Sequence, residues 1–64
     1  MRLIYTCVKE AKIERYTVKP GDRVFLISMT SDYVVFGPVE KEGLIKYQLS
    51  TNDFSEAFRL EMAK

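Results

Sequence analysis

The sequence predicts a mainly β domain of the α+β class: a five-stranded, strongly curved antiparallel sheet or small barrel with one C-terminal helix. Three observations carry this reading. Short runs rich in β-branched and aromatic residues recur along the chain, several with the two-residue alternation of a strand that buries one face. Turn residues separate them, most clearly at Lys19-Pro20-Gly21-Asp22, where proline presets φ and glycine supplies the positive φ of a type II turn. Near the end, Ser50 stands three residues ahead of Asp53, a helix-start signal, with apolar residues following at helical spacing.

Taken in order, residues 2–8 place Leu3, Tyr5 and Cys7 on one side and Ile4, Thr6 and Val8 on the other, a strand covered on both faces. After the polar residues 9–12, a weaker alternation over residues 13–18 predicts a second strand with Tyr16 and Val18 inward. Residues 23–29 are the most apolar stretch and the expected central strand, with Phe25, Ile27 and Met29 on one face and Val24 and Leu26 on the other. Thr30-Ser31-Asp32 supplies a turn. Residues 33–39 then form a fourth strand that bends or reaches an edge at Gly37-Pro38, because proline cannot donate to a ladder. A hairpin loop at residues 40–43 leads into residues 44–49, where Ile45, Tyr47 and Leu49 alternate with Lys46 and Gln48. The helix is expected over residues 51–62, with Phe54, Ala57, Phe58 and Met62 on one stripe, Leu60 at its edge and Glu61 intruding; Phe58 should anchor it to the sheet.

A 64-residue chain has room for one domain and buries only about 60% of the surface it exposes when unfolded. The lone Cys7 closes no intrachain disulfide, and without histidine a structural zinc site has few ligands. Stability therefore rests on a dense apolar core or on a second copy of the chain, and a homodimer is expected. An unpaired cysteine with no signal-peptide pattern before it predicts a cytoplasmic protein. The longest apolar run falls far short of the roughly 20 residues that cross a bilayer, so no membrane association is expected. Ten basic against nine acidic residues leave a formal charge of +1, which builds in no long-range attraction to nucleic acid. The partner expected on these grounds is another protein.

Chemistry is sparse. The missing histidine removes the usual general base and every Ser-His or Cys-His arrangement. Cys7, in an apolar strand without a cation placed to acidify it, reads as a small core residue rather than a redox thiol. Gly21, Gly37 and Gly43 lie too far apart to cradle a phosphate, and the acids follow no calcium-loop spacing. No catalytic residue, metal or cofactor is expected, and the chain reads as a binding protein rather than an enzyme. Tyrosine is rigid, amphipathic and frequent at interfaces. The candidate contact surface is accordingly Tyr33 and Tyr47 beside the hairpin tip Glu40, Lys41 and Glu42, with Arg23 and Lys46 nearby; the alternative is that both rings are core.

A first strand with Leu3 and Ile4 at its start, the Gly21-Asp22-Arg23-Val24 turn entering the longest strand and the helix-leading Asp53-Phe54 together resemble the carbon-storage-regulator RNA-binding proteins. That resemblance implies a strand-exchanged homodimer that binds GGA-containing hairpins. Where that family carries basic residues, at the end of the first strand and before the helix, this chain has Thr6, Cys7, Gln48 and Ser50. The segment from Pro20 to Val24 is also similar to the opening of the SH3-like barrels of the KOW type, and in general style the chain resembles small accessory proteins of phages and prophages. Two functions follow as expectations. The first is a non-enzymatic regulatory or inhibitory protein acting through protein–protein contacts. The alternative is a small homodimeric RNA-binding post-transcriptional regulator.

Overall fold

A computed structural model describes residues 3–41 and 43–61. Among them the elements are strands β1 (Ile4–Cys7), β2 (Ala11–Ile13), β3 (Tyr16–Val18), β4 (Arg23–Met29) and β5 (Tyr33–Pro38), a 3₁₀ turn (Val39–Lys41), strand β6 (Tyr47–Ser50), helix α1 (Thr51–Ala57) and strand β7 (Phe58–Leu60). The mainly β class holds. A five-stranded antiparallel sheet runs β6-β5-β4-β1-β7, and β2 and β3 pair as a separate hairpin. The sheet ends in two free edges, β6 and β7, so it is not closed into a barrel.

The strand count of five is met with a different membership. Residues 13–18 were expected as one sheet strand, but Glu14 adopts φ 54 and the chain reverses there, pairing Ile13 with Tyr16 and Ala11 with Val18. Alternation does not reveal this turn because glutamate carries the left-handed backbone that glycine or asparagine usually marks. Tyr16, expected inward, is consequently exposed, while Ile13 and Val18 enter the core.

The vacated place is filled from the predicted helix. Its start is as expected: the Ser50 hydroxyl accepts from the Asp53 N–H at 3.2 Å. It ends at Ala57, five residues before the expected limit, where Phe58 turns extended (φ −128, ψ 149) and its N–H caps the Phe54 carbonyl. Residues 58–60 then add to the free side of β1, with Cys7 opposite Phe58 and Tyr5 opposite Leu60. A helical stripe and a helix-to-strand switch both set Phe58 against Phe54, here stacked with centroids 4.7 Å apart, so periodicity cannot separate them. What separates them is the unpaired backbone of β1, which α1 could not satisfy and β7 does. Met62 lies outside the described residues.

β4 spans residues 23–29 as expected, but its alternation is interrupted, and the start of the next predicted strand moves. In β4, a bulge between Leu26 and Ser28 takes Ile27 out of the ladder. The expected single apolar face is broken: Val24 and Phe25 are both buried, whereas Ile27 and Met29 are exposed. The fifth strand begins at Tyr47 rather than at residue 44. The Ile45 carbonyl lies over Gly37, so close that a Cβ on Gly37 would sit 2.7 Å from its oxygen and 3.3 Å from the Phe25 ring. Gly37 is thus where backbone crosses backbone, and β5 runs on through it to Pro38, opposite Val24.

The core lies between the inner sheet face, α1 and the β2–β3 hairpin, and its centre is Phe36, fully buried in β5. Its ring meets Phe54 at 5.0 Å, Phe58 at 5.1 Å and Tyr47 at 5.4 Å. Phe58 therefore anchors the domain from the sheet rather than from the helix. Phe58→Ala is expected to cost about 3 kcal/mol or more, as large-to-small aromatic changes in cores do. Urea titration followed by far-ultraviolet circular dichroism measures this, and Gly37→Ala should destabilise the fold in the same assay.

Candidate functional site

The β5–β6 register places Tyr33 opposite Ser50 and Phe36 opposite Tyr47. The two candidate tyrosines thus lie on adjacent strands, as expected, but at opposite ends of the pair, and no shared surface joins them. Tyr33 is half exposed. Tyr47 is a core residue, 9% exposed, for the same reason that its strand pairs with Phe36. Glu40 and Lys41 form the 3₁₀ turn in place of a hairpin tip, Glu42 lies outside the described residues, and Lys46 is exposed just before β6.

Three of the predicted residues nevertheless line one groove. Arg23, Glu40 and Tyr47 are joined there by Thr17 and Val18 of β3, Gly21 and Asp22 of the turn, Val24, Pro38 and Val39, around a cavity of about 270 Å³. Tyr33, Lys41 and Lys46 are not among its lining residues. A smaller hollow of about 160 Å³, between Lys9, Lys12 and the Asp53 and Glu56 side of α1, mixes both charge signs.

Local sequence chemistry holds the groove rigid. Gly21 takes φ 98, the conformation glycine adopts without steric cost, and its N–H donates to the Cys7 carbonyl at 2.8 Å. Cys7 N–H returns a bond to the Asp22 carbonyl at 2.8 Å, and the Asp22 carboxylate accepts from Lys19 N–H at 3.0 Å. The turn is therefore stapled to β1 from both sides. Arg23, next in sequence, forks onto Glu61 through Nε at 2.8 Å and Nη2 at 2.9 Å, and Thr6 Oγ1 donates to the same carboxylate at 2.6 Å.

Tyr47 closes the groove with its ring fixed between Phe36 and Tyr16, the latter centroid 5.3 Å away. Its phenol makes no hydrogen bond among the described residues. Burial pushes its pKa up from the ordinary value, with Tyr16 and the Asp22 carboxylate adding to the rise. Sequence reasoning missed Asp22 and Tyr16 as site residues. The Pro20-Gly21-Asp22 signal was present but reads only as a turn, and Tyr16 reads as core.

Elsewhere, Cys7 is buried and its Sγ donates to the Lys9 carbonyl at 3.0 Å; burial is the main cause that raises its pKa above 9.0. Among the described residues no three His, Cys, Asp or Glu side chains are placed to hold a metal ion, and no helix is long and apolar enough to cross a membrane. No family model, curated protein or solved structure matches this chain.

The two raised acids fix a pH dependence. Below the unfolded value, both states keep the proton and the native contribution is intact. Above it, the unfolded chain releases the proton while the folded chain retains it, so stability falls as pH rises. Thermal melting is expected to be flat from about pH 6 to 8 and to fall above about pH 9. Cys7→Ala and Tyr47→Phe should each make that alkaline decline shallower, whatever they do to the neutral melting temperature.

Proposed function

We propose that this protein is a non-enzymatic binding protein that regulates or inhibits a protein partner by direct contact, using the groove between β3, the Gly21 and Asp22 turn and the 3₁₀ turn. The observation that carries the reading is the Tyr16–Tyr47 pair: Tyr47 lines the groove with its ring held in the core, and the adjacent Tyr16 ring is exposed. Interfaces draw their energy from a few such preorganised aromatic anchors rather than from area. On the fold side the SH3-like likeness rests on the Pro20 to Val24 segment, which enters β4 here in an open sheet rather than in a closed barrel.

Self-association belongs to the same proposal. Leu60 is 56% exposed on the edge strand β7, and Leu3, just before β1, and Met29, at the end of β4, are exposed, so apolar surface accompanies an open strand edge. A homodimer is expected by sedimentation at about 100 µM, well above a micromolar dissociation constant, and Leu60→Glu should return it to monomer.

Partner binding is tested by affinity capture from a cytoplasmic extract, with and without nuclease, using the native chain and Tyr16→Ala. The expected result is a captured protein that survives nuclease and moderate salt and is lost with Tyr16→Ala while the melting temperature stays within a few degrees. Capture that vanishes with nuclease and falls steeply with salt would instead establish the RNA-binding alternative.

A further inference from the structure

We propose that the groove receives one cationic side chain, arginine or lysine, from the partner protein. This rests on the protein-contact reading above and names its chemistry. Val18, Val24, Pro38, Val39 and Tyr47 contribute apolar lining that suits the methylene stem of a long basic residue. Two carboxylates, Asp22 and Glu40, stand in the lining. The one lining cation, Arg23, does not offset them, because its guanidinium is forked onto Glu61. The groove is thus acidic in effect.

An acceptor independent of those acids points the same way. Tyr47 is 9% exposed as a residue and lines the cavity, and its phenol oxygen, which is solvent-accessible and makes no hydrogen bond among the described residues, can accept from an entering N–H donor while its ring stays held by Phe36 and Tyr16. The exposed Tyr16 ring beside it offers a face for cation–π contact. An apolar side chain would gain nothing from the phenol or the carboxylates, and an anion, including a nucleic-acid phosphate, would be repelled by Asp22 and Glu40.

The experiment uses the full chain labelled with nitrogen-15 and three blocked tripeptides, Ac-Ala-Arg-Ala-NH2, its lysine counterpart and its citrulline counterpart, the last being arginine's neutral isostere. The expected result is saturable shifts of the Thr17, Gly21, Asp22, Val39 and Glu40 amides, with citrulline at least about tenfold weaker than arginine, because only the cation gains from the carboxylates. Glu40→Gln should weaken the arginine peptide several-fold. Tyr47→Phe should do so too, and because it keeps the ring in the core, its retained spectrum shows that the loss is of the hydroxyl and not of the fold. Equal binding of citrulline and arginine, shifts confined to other surfaces, or no saturable shift at about 20 mM peptide would each overturn the assignment. These outcomes are separable from failure of the protein-contact reading: a peptide that misses the groove while Tyr16→Ala still abolishes nuclease-resistant capture removes only the basic side chain, whereas a peptide that binds while capture is nuclease-sensitive removes only the protein partner.

Discussion

The structure depends on the packing of Phe36. This ring sits at the middle of β5, between β6 and β4 in the sheet, and meets one aromatic from each element that has to be held there: Phe54 from α1, Phe58 from β7 and Tyr47 from β6. A chain with no disulfide and so little interior has few other means of fixing an edge strand or a seven-residue helix, which in isolation is far too short to persist in water. Aromatic rings bury much area for few rotatable bonds, so one such cluster orders three elements at modest entropic cost.

The same cluster ties the candidate groove to the core. Tyr47 is a groove residue only because its ring is trapped between Phe36 and Tyr16, and the phenol is presented at a fixed height as a result. On the opposite wall, the turn at Gly21 and Asp22 is held by reciprocal backbone bonds to Cys7, which is itself in the core. Groove and core therefore share residues, and the shape of the groove is not separable from folding stability. Conservative changes such as removal of the hydroxyl alone are what distinguish the two roles at Tyr47.

The outer strands show how a minimal sheet handles its edges. β7 is three residues long and its Arg59 guanidinium donates to the Ser55 and Phe58 carbonyls, while Arg23, Thr6 and Glu61 join β4, β1 and the residue after β7 with a bidentate ion pair and a hydroxyl bond. Short length and charge are common ways to blunt an edge. Leu60 is the exception, an apolar side chain left on that edge.

The sequence by itself determined what depends on neighbours along the chain: the mainly β class, β1, β4 and β5 to within a few residues, the turn at Pro20-Gly21-Asp22, the Ser50 cap and the burial of Cys7, Phe54 and Phe58. Each of these is written in alternation, turn chemistry or capping, which act over a few residues. The tertiary structure decided what depends on partners distant in sequence. Phe58 to Leu60 form a strand because β1 has an unpaired side, residues 11–18 form a hairpin through a glutamate that bears a positive φ, and Tyr47 joins Asp22 and Glu40 because β6 pairs with β5 across Phe36. No local pattern encodes these choices, since a backbone hydrogen bond or a ring contact is satisfied by whichever segment the rest of the fold brings within reach.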